Sequence, residues 1–317
     1  VVKLFLGNRA GILLLIPIII YGYFLLNQQT DYYAYKSTTN FGFWGESLVF
    51  LPKIASISAA FLICFNAFGI SWIYNTNEFF ERNSYISSLL YVVLMSFYHS
   101  FYSIDGLLIA HSCIILTLFQ FFKLNQNKDG RRNVFNGLFF AGVAATFHPP
   151  MIVVFPLVLI MVWNVRPFIF RETMLGIIAF IIPLIYAGTY LWYSGNAIEF
   201  KVLEQTTNYT NKQIDFLVTA VLFTLLFLLS IVSIRGRMQT SSIRLKKLVR
   251  ILYWLLFIGL LFGVIDFIIY RQIERFSFLM LPLSFFLAFS FMHKTFGIMA
   301  TVLFYLTIAY SIIKFFI

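Results

Sequence analysis

Five groups of residues in this sequence carry side chains able to do chemistry. Asp31, followed by Tyr32, Tyr33 and Tyr35, lies close after an apolar run, and Glu46 stands shortly before the next one. A carboxylate at a lipid–water boundary can have its pKa raised and serve as a general base on an acceptor hydroxyl. The same residues equally suit a plain loop with an interfacial aromatic belt. Phe41, Phe43 and Trp44 between them fit either insertion at that interface or stacking on a sugar face. Tyr98, His99 and Asp105 interrupt one apolar run, and His148 with Pro149 and Pro150 interrupts another. Ionisable groups at membrane depth are expensive to place and mark functional sites, whereas a turn open to water would simply solvate them. Arg271, Glu274 and Arg275, in YRQIERFSF, form the fifth group. Their spacing lets both arginines share a helical face, and arginine forks match phosphate oxygens. An ordinary interfacial pairing with Glu274 is the plainer alternative.

The elements that hold these residues are membrane helices. The chain is 61% hydrophobic and 11% charged, with 40 Phe and 18 Tyr. A soluble globular domain is excluded by that composition. A bilayer core of about 30 Å needs roughly 20 apolar residues per helix, and several stretches approach or exceed that length. We therefore expect an all-α, polytopic integral membrane protein forming a single domain over 1–317. The expected spans are 12–26, 48–74, the two interrupted runs between 84 and 164, 174–193, 216–234, 252–270, 276–291 and 297–316. Counting each interrupted run as two short helices gives about eleven spans. The first is expected to be a retained anchor, since no small-residue cleavage site follows it.

Charge tests that topology. With the N-terminus inside and each interrupted run counted as two crossings, most of the 23 basic residues fall on the inner side. These include the segment RGRMQTSSIRLKKLVR and the loop at 128–132. Counting one run as a single crossing sends RGRMQTSSIRLKKLVR outside, and counting both so restores it but puts Lys123, Lys128, Arg131 and Arg132 outside, each against the positive-inside tendency. Both turns are therefore expected to face outward, on the same side as most of the acids. Asp266 stands out as the main charge within a predicted span. His111, six residues after Asp105, falls on a different helix face and is expected to be a buried hydrogen-bonding residue.

Several motifs are missing. There is no phosphate-binding loop of the GxxxxGK[ST] type, no HExxH, no Cys/His cluster and no paired acidic motif. No metal site and no cofactor are expected. Cys64 and Cys113 lie within apolar runs and lack ligand spacing.

The layout resembles the GT-C superfamily of polyprenyl-phosphate-dependent membrane glycosyltransferases. The resemblance rests on a first span ending in an acidic loop, Asp31 to Glu46. It continues in the paired short helices through SFYHSFYSIDG and ATFHPPMIVVFP, and covers about residues 1–195. The chain departs from that superfamily in having an isolated Asp rather than a paired acidic motif, and no soluble outer domain. The resemblance implies a lipid-linked sugar donor and transfer on the outer face of a bacterial cytoplasmic membrane. It further implies that Asp31, or Glu46 failing it, is the base. His99, Asp105 and His148 would assist, while Arg271, Arg275 and Tyr98 would meet the lipid phosphate. The expected partners are that donor, membrane lipids and other envelope proteins, and no nucleic acid. Three rival readings stay open: a polysaccharide polymerase or ligase, a lipid or solute transporter, and a non-enzymatic subunit of an envelope complex.

Overall fold

The computed structural model describes residues 1–30, 33, 41–47, 51–80, 82–124, 129–165, 167–194, 209–270, 273–292 and 296–316. Among them every regular element is helical. The short α1 (Val2–Phe5) precedes a 3-10 turn that runs into α2 (Leu15–Thr30). A second 3-10 turn, Gly42–Ser47, precedes α3 (Pro52–Thr76). Pro52 suits that start, because the first helical position needs no N–H donor and favours proline's fixed φ.

Each interrupted run is divided where its polar or helix-breaking residues stand. The first gives α4 (Ile86–Met95), a 3-10 turn at His99–Phe101, and α5 (Gly106–Leu124). The second gives α6 (Arg131–Phe147), a 3-10 stretch Pro149–Val154, and α7 (Phe155–Val165). Pro149 and Pro150 cannot donate to the preceding turn, and His148 before them is pushed to φ −137°, ψ 88°. The remaining helices are α8 (Phe170–Ser194, with Pro183 inside it), α9 (Tyr209–Thr240) and α10 (Ile243–Tyr270). After them come α11 (Met280–Ala288) and α12 (Phe296–Ile313).

Among the described residues six helices are long and apolar enough to cross a membrane: those spanning 10–30, 52–76, 106–124, 170–194, 216–239 and 243–269. Shorter apolar helices cover 86–95, 149–165, 276–291 and 297–313. The protein's described elements are all helical, and the length and apolar character of these helices make it a polytopic membrane protein. Its long helices turn large apolar side chains outward, among them Phe61 at 69%, Trp72 at 63% and Ile268 at 64% exposure. Such a surface is suited to lipid, because a water-facing helix of this length would present charge there.

Two short helices occupy the middle. Every residue of α4 and every residue of α11 is buried, and the two pack against each other, with α3 against α4. Elsewhere in the bundle α5, α6 and α8 form the tightest group. Gly142 of α6 lies against the backbone of α8, where a Cβ would stand 2.4 Å from the Phe180 carbonyl oxygen. Small residues permit this approach, as they do in many membrane helix pairs.

The contacts also sort the element ends. The Ser96–Asp105 turn, the His148 turn and Gly42–Ser47 gather at one end of the bundle, with the beginning of α3 and the end of α8. Ile104 N–H donates to the Ala55 carbonyl there, and Trp44 packs on Tyr190 with 5.4 Å between ring centres. At the opposite end, Gly130 N–H donates to Glu172 at the start of α8. The ammonium of Lys247 reaches the Val165 carbonyl at the close of α7, 3.3 Å away, where a cation complements the helix C-terminus.

Candidate functional site

The end that carries both turns is built in layers. Gly42 adopts φ +64°, and a Cβ on it would stand 2.6 Å from the Thr146 carbonyl oxygen and 2.7 Å from Pro149 Cδ. Only glycine accepts both that conformation and that approach without strain. Trp44 follows, its indole N–H donating to the Thr146 hydroxyl at 3.3 Å and its ring tilted on Phe147. The Phe41–Trp44 stretch is thereby fastened to the His148 turn.

His148 itself points into the bundle. Its Nε2 lies 3.0 Å from Asp266 Oδ1 of α10, and the two side chains are 4% and 0% exposed. The second carboxylate oxygen, Oδ2, is buried without a hydrogen-bond partner among the described residues. Aromatic edges enclose the pair, since His148 meets Phe262, Phe262 meets Phe278, and Phe278 meets His111 at ring-centre distances of 5.3, 4.9 and 5.4 Å. His111 Nδ1 shares a hydrogen bond of 3.1 Å with the Tyr91 hydroxyl, which receives one from Asn66 at 3.2 Å. A polar seam therefore runs through the apolar interior. A buried carboxylate needs such a partner, because an uncompensated charge there costs several kcal/mol, on the order of 3–5.

The Ser96–Asp105 turn is differently arranged. Asp105 spends both oxygens locally: Oδ1 accepts the Leu108 N–H at 2.7 Å and Oδ2 accepts the Ser100 hydroxyl at 2.6 Å. It is the N-cap of α5, a role that shields otherwise unpaired helix donors. His99 stands edge-on to the Tyr33 ring at 6.3 Å between centres. Tyr33 is held by Asn27, stacks on Tyr102 at 4.6 Å, and donates its hydroxyl to the Phe97 carbonyl at 2.9 Å.

Beside Tyr33 lies Lys314, 2% exposed. Its ammonium donates to the Ser96 carbonyl and to the Tyr33 hydroxyl. The rings of Tyr33, Phe97, Tyr102 and Phe315 surround it at 4.6 to 5.9 Å. Aromatic faces of this kind stabilise a desolvated cation. A lone lysine in the apolar run IAYSIIKFFI is the sequence signal for this cage, and it was readable only as a charge near the end of a span.

Tyr98 turns another way, into an apolar groove. The groove has a volume of about 230 Å³ and runs between α9, α10 and the stretch 276–283, lined chiefly by Phe216, Phe223, Phe227, Leu256, Phe276 and Leu283. Ile273–Leu279, a 3-10 stretch, separates it from the His148–Asp266 pair: Phe276 lines the groove while Phe278 faces Phe262.

The described candidates thus share one end of the bundle without sharing one cavity. Tyr98 lines the groove, His99 meets Tyr33, Asp105 caps α5, and His148 joins Asp266. Asp31 and Arg271 lie outside the described residues, as do the side chains of Glu46 and Arg275. Among the described residues no three His, Cys, Asp or Glu side chains gather as metal ligands. No family model, no curated protein and no solved structure matches this chain.

Proposed function

We propose that this protein is a membrane glycosyltransferase that takes its sugar from a lipid-linked donor, a polyprenyl phosphate or pyrophosphate. The observation that carries this reading is the apolar groove opening beside Tyr98 at the turn end of the bundle. A long hydrocarbon chain suits its Phe and Leu walls, and a donor could enter it sideways from the bilayer without leaving lipid. In sequence Arg271 stands just before the neighbouring 3-10 stretch and Arg275 within it, and the two supply the charge that a phosphate needs. In this reading the N-terminus is cytoplasmic, about eleven full or short spans follow, and the turn end faces outward from a bacterial cytoplasmic membrane.

The acceptor hydroxyl oxygen attacks the anomeric carbon, the bond from that carbon to the phosphate oxygen breaks, and the lipid phosphate departs with the electron pair. The acceptor proton passes to a carboxylate. Asp105 would have to abandon its helix cap to receive it, so the task falls to Asp31 or, failing that, Glu46. His148 acts through Asp266 as a positioning residue, since both are buried. Asp31→Asn should abolish transfer from a labelled polyprenyl-linked sugar, by a factor of about 10² or more for loss of a general base. Unchanged turnover would remove Asp31 from that role.

One observation favours a second reading. A buried carboxylate paired to histidine, with one oxygen otherwise unpartnered among the described residues, is the kind of group that carries protons in transporters. A lipid or solute transporter coupled to protons predicts movement of substrate without covalent change, accompanied by proton uptake that Asp266→Asn eliminates. Product analysis of the same labelled donor separates the two.

A further inference from the structure

The end of the bundle away from both turns holds a cavity of a different character. It is about 230 Å³ in volume and lies where α9 gives way to α10, lined by Asn77, Glu78, Arg237, Ser241, Ser242 and Arg244, with Leu245 at its apolar side. A water molecule takes up about 30 Å³ in the liquid, so the space exceeds what one solvent molecule fills. We propose that this cavity binds a phosphate ester.

Arg244 carries the argument. Its Nε is buried and meets no hydrogen-bond partner among the described residues. A buried guanidinium nitrogen left in that state calls for a ligand or an ordered water. Guanidinium groups present forked donors that match the oxygens of a phosphate, and they are less strongly hydrated than ammonium groups. Arg237 also lines the cavity, with its guanidinium 5.2 Å from the centre of the Phe80 ring.

The hydroxyls fit the same ligand. Ser242 Oγ accepts the Leu245 N–H at 3.3 Å, which leaves its own O–H to donate. Ser241 donates to the Arg237 carbonyl and so ties the end of α9 into the cavity wall. Glu78 is the one acid among the described lining residues, against two guanidiniums. It also adopts φ 54°, a left-handed conformation rare for glutamate. Backbone strain of this kind gathers at ligand-binding places. The neighbouring Lys247 has a separate task at the end of α7, so the basic segment is divided between closing a helix and lining a cavity.

A phosphate ester can come from a lipid headgroup or from a soluble phosphate. Native mass spectrometry of the delipidated full chain in detergent distinguishes them, by titration with dihexanoyl phosphatidylglycerol, with inorganic phosphate and with dihexanoylglycerol as the phosphate-free control. We expect saturable binding of one phosphate compound per chain, weakened about tenfold by Arg244→Gln, as loss of a hydrogen bond to a charged group implies. Dihexanoylglycerol should show no dependence on Arg244. Binding confined to phosphatidylglycerol assigns a headgroup, and binding of inorganic phosphate assigns a soluble ligand. Should Arg244→Gln fail to fold, Arg244→Lys keeps the charge and loses the fork, and a several-fold weakening is expected of it. Neither phosphate compound binding, or equal affinity in the wild type and the folded variant, overturns the proposal. No transfer reaction is read, so the outcome is independent of the glycosyltransferase assignment.

Discussion

At the scale of single residues, the turn end depends on three positions that accept no ordinary substitute, one alone and two as a pair. Gly42→Ala places a methyl group against the Thr146 and Phe147 carbonyls and forces alanine into left-handed backbone. The conformation alone costs about 1–2 kcal/mol, so a clear drop in the thermal midpoint of the detergent-purified protein is expected. An unshifted midpoint would mean that the Gly42–Ser47 stretch does not press on the His148 turn. The other two form the His148–Asp266 pair. His148→Leu leaves the carboxyl group stranded among Phe262 and its neighbours and should cost about 3–5 kcal/mol, whereas His148→Leu with Asp266→Leu should cost much less than the sum. Additive losses would show that the two side chains do not depend on each other. Sequence marked both residues as unusual, His148 by its prolines and Asp266 as a charge in an apolar run. Their pairing was hidden, because 118 positions separate them and only packing selects a partner at that distance.

At the scale of elements, legibility follows the strength of the local signal. The breaks at Ser96–Asp105 and at His148 were readable because proline removes donors and a run of polar side chains has no place in a continuous apolar helix. The run 276–291 carries a single proline, Pro282, which falls in the first turn of α11 and marks neither boundary. It reads as one uniform span, yet it divides into a 3-10 stretch, the nine-residue α11 and another 3-10 turn. Periodicity cannot detect that division when every face is buried. The extension of α9 over Tyr209–Thr240, well past the apolar stretch 216–234, was equally silent, since Arg, Met and Gln sustain helix as well as Leu does. The contact of α6 with α8 gives the test at this scale. Gly142→Ala sets a Cβ against a backbone carbonyl rather than a yielding side chain, and overpacking of that kind costs about 1–3 kcal/mol. Limited proteolysis at the α7–α8 connection should accelerate in that variant, and an unchanged rate would show that the helices separate freely.

At the scale of the whole molecule, the composition fixes the solvent and the contacts fix which ends lie together. If the helices cross a bilayer as read, residues at the two ends are reached from opposite sides. Tyr193→Cys, 93% exposed at the end of α8, and Asp129→Cys, before α6, provide the comparison in a chain with Cys64 and Cys113 replaced by Ala. A membrane-impermeant maleimide applied to intact cells should label one of them and spare the other until the cells are opened. Equal labelling of both would contradict the arrangement.

Lys314 adds a question of timing. Its ammonium closes on the Ser96 carbonyl and the Tyr33 hydroxyl, which lie 218 and 281 positions earlier. A ribosome adding about 5–20 residues per second takes on the order of tens of seconds to cover that interval. Throughout it three of the four cage rings, Tyr33, Phe97 and Tyr102, have no cation to enclose. The nascent chain must therefore be sheltered by the insertion machinery, or tolerate an open cage, until α12 brings Lys314 and Phe315 to shut it.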